Sequence, residues 1–362
     1  MRSVADRASL SNYRMPAEWE PHLATYLVWP HNLDTWPGKF ESIPPVFARI
    51  AAAIAHFEAV RVLVRERGQF SEVLKMISAA TAPDNQPVRM DRIELLPIAT
   101  NDSWIRDYGP VFLNRIEDGG PTQIGLDWRF NSWGSKYGAY DLDDVVPQRL
   151  AEHYGFEVVE ADMVLEGGSL DVNGAGTLIT TESCLLNKNR NPSMARADIE
   201  ALLRGHFGVH QVLWLGEGIA GDDTDGHVDD LARFAAANTI VTVVEQDPLD
   251  INFAPLQDNL KRLHTMRNHY GELFTIATLP MPSPLYFDDV RLPASYANFY
   301  IVNGGVLMPS FGCAADEVAH ATLARLFPDR RVVTIPSTDL VWGLGAIHCL
   351  TQQHPAAPRA VG

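Results

Sequence analysis

Short apolar runs and amphipathic stretches alternate along most of this chain. Residues 42–57 carry Ala and Ile at helical spacing, with Pro44 and Pro45 where a first helical turn tolerates proline, and 60–64 follows as a buried strand. The order recurs: 144–154 is predicted helical and 157–164 extended, then 194–207 and 211–215, 256–270 and 273–279, 314–327 and 331–335. β-Rich runs at 176–181, 239–244 and 299–307 lie between these pairs. The repeated unit is strand, strand, helix, strand. No Gly-x-Gly-x-x-Gly turn follows the first strand, which argues against a doubly wound nucleotide-binding sheet. No linker rich in Gly, Ser or charge interrupts the chain, so one domain over 1–362 is expected.

Polar clusters punctuate this pattern: Asn101-Asp-Ser-Trp-Ile-Arg-Asp107, Leu165-Glu-Gly-Gly-Ser169, Asp222-Asp-Thr-Asp-Gly-His-Val-Asp-Asp230 and Gly343-Leu-Gly-Ala-Ile-His-Cys-Leu-Thr-Gln-Gln353. Asp107 to Glu166 is 59 residues, Glu166 to His227 is 61, and His227 to Cys349 is 122. Units of roughly sixty residues are implied, with Asp288 marking the skipped one; such a period means stacked or radial supersecondary units whose equivalent ends converge.

At 46% hydrophobic and 20% charged residues the chain is composed like a soluble enzyme with a sizeable core. Its formal charge of −16 argues against nucleic acid or anionic membrane as a partner and favours a small cationic one, although solubility alone accounts for it equally well. Residues 1–20 lack the apolar core of a signal peptide, and no apolar stretch is long enough to span a bilayer. Cys184, Cys313 and Cys349 are too few and too scattered for a disulfide framework, so a cytoplasmic setting that keeps thiols reduced is expected.

The clusters support covalent chemistry on a cation. Cys349, among small residues including Gly345, reads as a nucleophile or as a buried apolar thiol. On a strand His348 would face away from Cys349, which makes His227 the better partner. His227 and Asp229, two residues apart, would share a strand face. The run 222–230 fails as an EF-hand, since Gly221 and Ala232 would occupy ligand positions. Its Asp-x-His-x-Asp core also suits a manganese ureohydrolase, or a solvated acidic turn. Asp107 could clamp a planar guanidinium with two parallel bonds, or Arg106 could simply pair with an acid. The glycines after Glu166 permit close backbone approach, or a hairpin. Together, Asp107 and Asp229 would grip the guanidinium, Glu166 and His227 would sit beside the departing nitrogen, and Cys349 would attack the central carbon.

These motifs, with Met15-Pro-Ala-Glu-Trp-Glu20, resemble the guanidine-modifying (pentein) superfamily, specifically the agmatine deiminase and bacterial peptidylarginine deiminase-like family. The resemblance runs over nearly the whole chain. It implies an α/β fold, a fivefold pseudosymmetric propeller of ββαβ units, with Cys349 as nucleophile, His227 and Glu166 handling protons, Asp107 and Asp229 binding guanidinium, and no cofactor or metal. Two positions depart from the pattern: Leu344 stands where many agmatine deiminases carry the middle of three glycines, and Ala346 where they carry asparagine. The expected reaction is hydrolysis of agmatine to N-carbamoylputrescine and ammonia. Deimination of peptidyl-arginine, a manganese ureohydrolase and a non-catalytic guanidino binder are the alternatives. Trp104, Asp225 and Asp288 are candidates for holding the distal amine, and a homodimer is the default assembly.

Overall fold

A computed structural model describes residues 10–116 and 122–357. Within them the chain forms five units of one topology. A first strand pairs antiparallel with a second, a helix crosses over, and a third strand pairs parallel with the second. Leu170–Val172, Thr177–Thr181, helix Arg196–Phe207 and Gln211–Leu215 make one unit. Its predecessor runs Val111–Arg115, Gln123–Arg129, helix Val146–Tyr154, Glu157–Val164. Its successors are Ala232–Ala236, Thr239–Val244, helix Phe253–Thr265, Thr275–Pro280, and then Tyr300–Val302, Gly305–Ser310, helix Ala315–Leu326, Arg331–Pro336.

The fifth unit is assembled from both ends of the described chain. Thr351–Pro355 pairs antiparallel with His22–Val28, which pairs parallel with Ala59–Val64 after the crossover helix Ile43–Phe57. Gln352 lies opposite Tyr26, and Tyr26 opposite Arg61. Two strands extend the set: Tyr13–Arg14 joins Val111–Arg115, and Ile93–Pro97 joins Ala59–Val64. First strands of neighbouring units touch, as Val111–Arg115 does Thr351–Pro355 and Leu170–Val172 does Ala232–Ala236. They form the inner layer, and the crossover helices lie outside.

The helices sit close to where the apolar periodicity placed them. Pro44 and Pro45 occupy the first turn of Ile43–Phe57, whose Phe47, Ile50 and Ile54 are buried. Gly155 and Gly208 close two other helices in left-handed conformation, at φ 78° and 64°. Two expectations shift. The helix expected over 256–270 begins at Phe253 and ends at Thr265, because the Asn268 side chain then accepts the backbone N–H groups of Tyr270 and Glu272 and closes a turn. The run 299–307 is a hairpin of two strands, turned by Gly304 at φ 78°. No helix among the described residues is long and apolar enough to cross a membrane.

Phe47, 1% exposed, meets Trp36 edge-on at 5.9 Å between ring centroids. Phe47→Ala is expected to cost about 3–5 kcal/mol through lost burial and the cavity left behind. A lowered denaturant midpoint with unchanged slope would report it.

Candidate active site

Each inner strand is preceded by a short turn that carries a polar side chain. Asp107 lies in the one-turn helix Ile105–Tyr108, and Glu166 in the turn before Leu170–Val172. His227 and Asp229 flank Val228 at the short 3-10 turn Val228–Asp230. Cys349 lies in the turn leading into Thr351–Pro355. In the fourth unit this position falls to Asn298, two residues before Tyr300 as Cys349 is two before Thr351. Asp288, expected from the spacing, instead sits exposed at the tip of the hairpin Tyr286–Phe287/Val290–Arg291. The long connection after Pro280 breaks the residue count while leaving the unit intact.

The turns bring the expected side chains together. His227 Nδ1 is 3.7 Å from Asp107 Oδ1, and its Nε2 is 3.8 Å from Glu166 Oε2. Cys349 Sγ is 3.7 Å from Asp229 Oδ2. His227 and Asp229 share this site through a tight turn, after Gly226 at φ 100°, and not through the strand alternation expected of them. Neither His348 nor Cys349 is on a strand either. Gly168 is the hub: a Cβ there would meet His227 Nδ1 at 2.6 Å, Asp107 Oδ1 at 2.9 Å and Asp229 Oδ2 at 3.0 Å. Its N–H donates to Asp107 Oδ1 at 3.0 Å. The close approach that the Gly-Gly pair permits is therefore to other site residues.

Above these groups opens a cleft of about 470 Å³ with Cys349 and Asp107 among its lining. Trp104 and Gly345 line it too; the tryptophan packs at a tilt against Trp36 and leaves no room for a side chain at Gly345. Leu344, at the position that departs from the resemblance, lines the rim in left-handed conformation at φ 69°. Asp225 lies elsewhere. A left-handed turn at φ 69° directs its carboxylate to Arg190, Asn189 and Lys136, away from the cleft.

Burial sets the electrostatics. It lifts the Cys349 thiol well above its usual pKa, and the charges of Asp229, Asp230 and Asp107 add to the effect, so the free thiol holds its proton. Burial raises Asp107 to about 6 against the pull of His227. His227 goes the other way. Burial opposes its charge, but Asp107, the Cys184 sulfur and Glu166 outweigh that and hold it protonated well above the usual range. Burial would raise Glu166, yet His227 and Arg190 bring it below the ordinary carboxylate value. Asp229 also falls despite burial, through its bond with His348. Four buried side-chain atoms here make no hydrogen bond: Glu166 Oε2, Asp229 Oδ1 and both ring nitrogens of His227. Such atoms are uncommon in native interiors, and each calls for a physical reason.

Residues 14–355 match the family described as Porphyromonas-type peptidyl-arginine deiminase. The chain belongs to this family. It is 37% identical to an agmatine deiminase of Stutzerimonas stutzeri over 98% of this chain and 99% of that one. A Pseudomonas aeruginosa agmatine deiminase is 38% identical over 96% and 97%. Among solved structures, agmatine deiminase of Enterococcus faecalis superposes with a TM-score of 0.87 at 32% identity, over 98% of both chains. A cysteine-to-serine variant of C. jejuni agmatine deiminase with substrate bound gives 0.85 at 30% identity, over 96% of this chain and 97% of that one. The α/β propeller expected from the motifs is the fold observed.

Several site residues escaped sequence reasoning. Asn298 donates to Cys349 Sγ and Asp230 Oδ1, each at 3.0 Å, and accepts the His348 N–H at 2.9 Å. Arg190 gives Nε to Glu166 at 2.7 Å and Nη2 to the Thr224 carbonyl at 2.8 Å. Trp133 donates its indole N–H to Asp107 Oδ2 at 2.8 Å from a turn in which Ser132, Trp133 and Ser135 all have positive φ. Non-glycine residues there cost about 1–3 kcal/mol each, and such strain gathers at functional sites. Only Asn298 had an available signal, its place in the repeat.

Arg190 is the buried counter-charge of Glu166. Arg190→Leu should destabilise the fold by about 3–5 kcal/mol, since it leaves that carboxylate unpaired. Chemical denaturation measures this directly.

Proposed function

We propose that the chain hydrolyses agmatine to N-carbamoylputrescine and ammonia through a covalent adduct on Cys349. The observation that carries this reading is one linked cluster: Asp229 beside the Cys349 thiol and, across Gly168, the charged His227 imidazole facing Asp107 and Glu166, with Asp229 Oδ1 and Glu166 Oε2 making no hydrogen bond. A planar guanidinium supplies what those acceptors lack, several N–H donors and a positive charge. The agmatine deiminases similar to this chain over nearly its full length support the choice of substrate.

In this reading Asp107 and Asp229 accept N–H groups of the guanidinium, and its charge offsets the carboxylates that keep the thiol protonated. Cys349 then releases its proton to solvent, and the thiolate attacks the central carbon. His227 gives its proton to the departing nitrogen, which leaves as ammonia, and a thiouronium remains on the sulfur. The neutral imidazole takes a proton from water, the hydroxyl adds to the same carbon, and the C–S bond breaks as the hydroxyl proton passes to the departing sulfur, which frees the ureido product and restores the thiol. Glu166, fixed by Arg190, holds the His227 ring for both transfers. A reducing cytoplasm suits a chain whose cysteines are free and whose nucleophile must stay reduced.

The deciding experiment measures ammonia release from agmatine, arginine and an arginyl peptide side by side. Agmatine should be turned over fastest, and Cys349→Ser should lose turnover while still binding it. Urea in place of ammonia, with loss of activity to chelator, would instead support a metal-dependent ureohydrolase. A pH profile adds a second check. Asp107 must be ionised to hold the cation, so kcat/KM is expected to fall as pH drops through about 6. In Asp107→Asn, turnover should drop on the order of a hundredfold or more, since one partner of a buried charge pair is gone.

A further inference from the structure

The Met15–Glu20 motif takes no part in the reaction above, yet its Glu18 is 4% exposed and reaches the centre of the molecule. Glu18 Oε1 accepts the Ile301 backbone N–H at 2.8 Å. Glu18 Oε2 meets Arg233 Nη2 at 2.8 Å, His348 Nε2 at 2.8 Å and Arg106 Nη2 at 3.7 Å. The other ring nitrogen of His348, Nδ1, lies 2.7 Å from Asp229 Oδ2. A single imidazole thus stands between two buried carboxylates, one of them beside the nucleophile.

We propose that Glu18 and His348 form a positioning relay: His348 donates from both ring nitrogens, to Glu18 and to Asp229, and so keeps Asp229 ionised and aimed at the guanidinium. A neutral imidazole has one N–H. It would leave the other nitrogen lone pair against a carboxylate oxygen at under 3 Å, which is repulsive in a buried site. Donation to Asp229 Oδ2 also explains why Oδ1 alone lacks a partner: the relay engages one oxygen and leaves the second for the substrate. This deepens the proposed deimination and rests on it. Neither Glu18 nor His348 touches the reacting atoms; both act through Asp229.

The charged surroundings are defined. Asp229 is faced by His348 and Cys349, and by the charges of His227, Arg233, Asp107 and Asp230. Around His348 lie Glu18, Asp229, the more distant charge of Asp171 and the Tyr300 ring, at 6.3 Å between centroids. Glu18 itself is faced by Arg233 and Arg106.

Two measurements test the relay. Neutron diffraction on crystals of the unaltered protein at pH 7.5 should place a deuteron on both Nδ1 and Nε2 of His348; a deuteron on one nitrogen only overturns the proposal. In Glu18→Gln, the side-chain shape is kept but the anion opposite His348 is lost. The Asp229 carboxylate then protonates more readily, so the acid limb of kcat/KM should move to higher pH and steepen. KM at neutral pH should rise about tenfold, the scale of effect that supporting partners have. A loss of activity that leaves the acid limb and KM unchanged would mean a merely structural Glu18 and would also overturn the relay. Failure of the unaltered enzyme to release ammonia counts against the deimination reading and leaves the neutron result to decide the relay.

Discussion

Negative charge gathered around a buried thiol is the constraint to which the rest of this structure answers. Asp107, Glu166, Asp229 and Asp230 are all within the molecule, and each would raise the cost of ionising the others. The fold distributes compensation unevenly. Arg190 is shared by Glu166 and Asp225, His348 by Asp229 and Glu18, and Asn298 by Asp230 and Cys349, while Asp107 receives an indole and a backbone N–H but no full counter-charge of its own other than His227. The remaining deficit faces the cleft. A cation entering there relieves repulsion that the protein has not neutralised elsewhere, and the thiol becomes easier to ionise at the same moment. Binding and activation are then one electrostatic event.

The propeller makes that concentration possible. Each inner strand begins at the same end, so five turns deliver side chains to one place without any long excursion of backbone. Beneath the site the same strands supply a second polar layer, including Asp171, Arg233 and Gln353, tied by Glu18 and Arg106. Apolar packing is left to the zone between strands and crossover helices, where Phe47, Leu203 and Leu323 lie buried. The centre of this molecule is ionic, and the shell around it is greasy.

Much of this was legible in the residues. The strand, strand, helix, strand order followed from periodicity, and five of the central side chains followed from residue type and spacing. What escaped depended on geometry that spacing does not carry. Asn298 was hidden because the count of residues pointed to Asp288, and a long connection had absorbed the difference. Asp225 looked like a cleft acid until Arg190, thirty-five residues earlier, claimed its carboxylate. The convergence of His227 with Asp229 was anticipated, but by strand alternation where a tight turn does the work. Trp133 gave no local sign, because its role rests on a strained left-handed turn. His348 was set aside because strand alternation would turn it from the thiol, yet the two lie in a turn and both meet Asp229 Oδ2.

Both ends of the described chain meet in the fifth unit, where Thr351–Pro355 docks against His22–Val28. That docking also carries Cys349 to Asp229, 120 residues away in sequence, at 3.7 Å from thiol to carboxylate. Sealing the ring of five units and completing the polar cluster at its centre are therefore the same step.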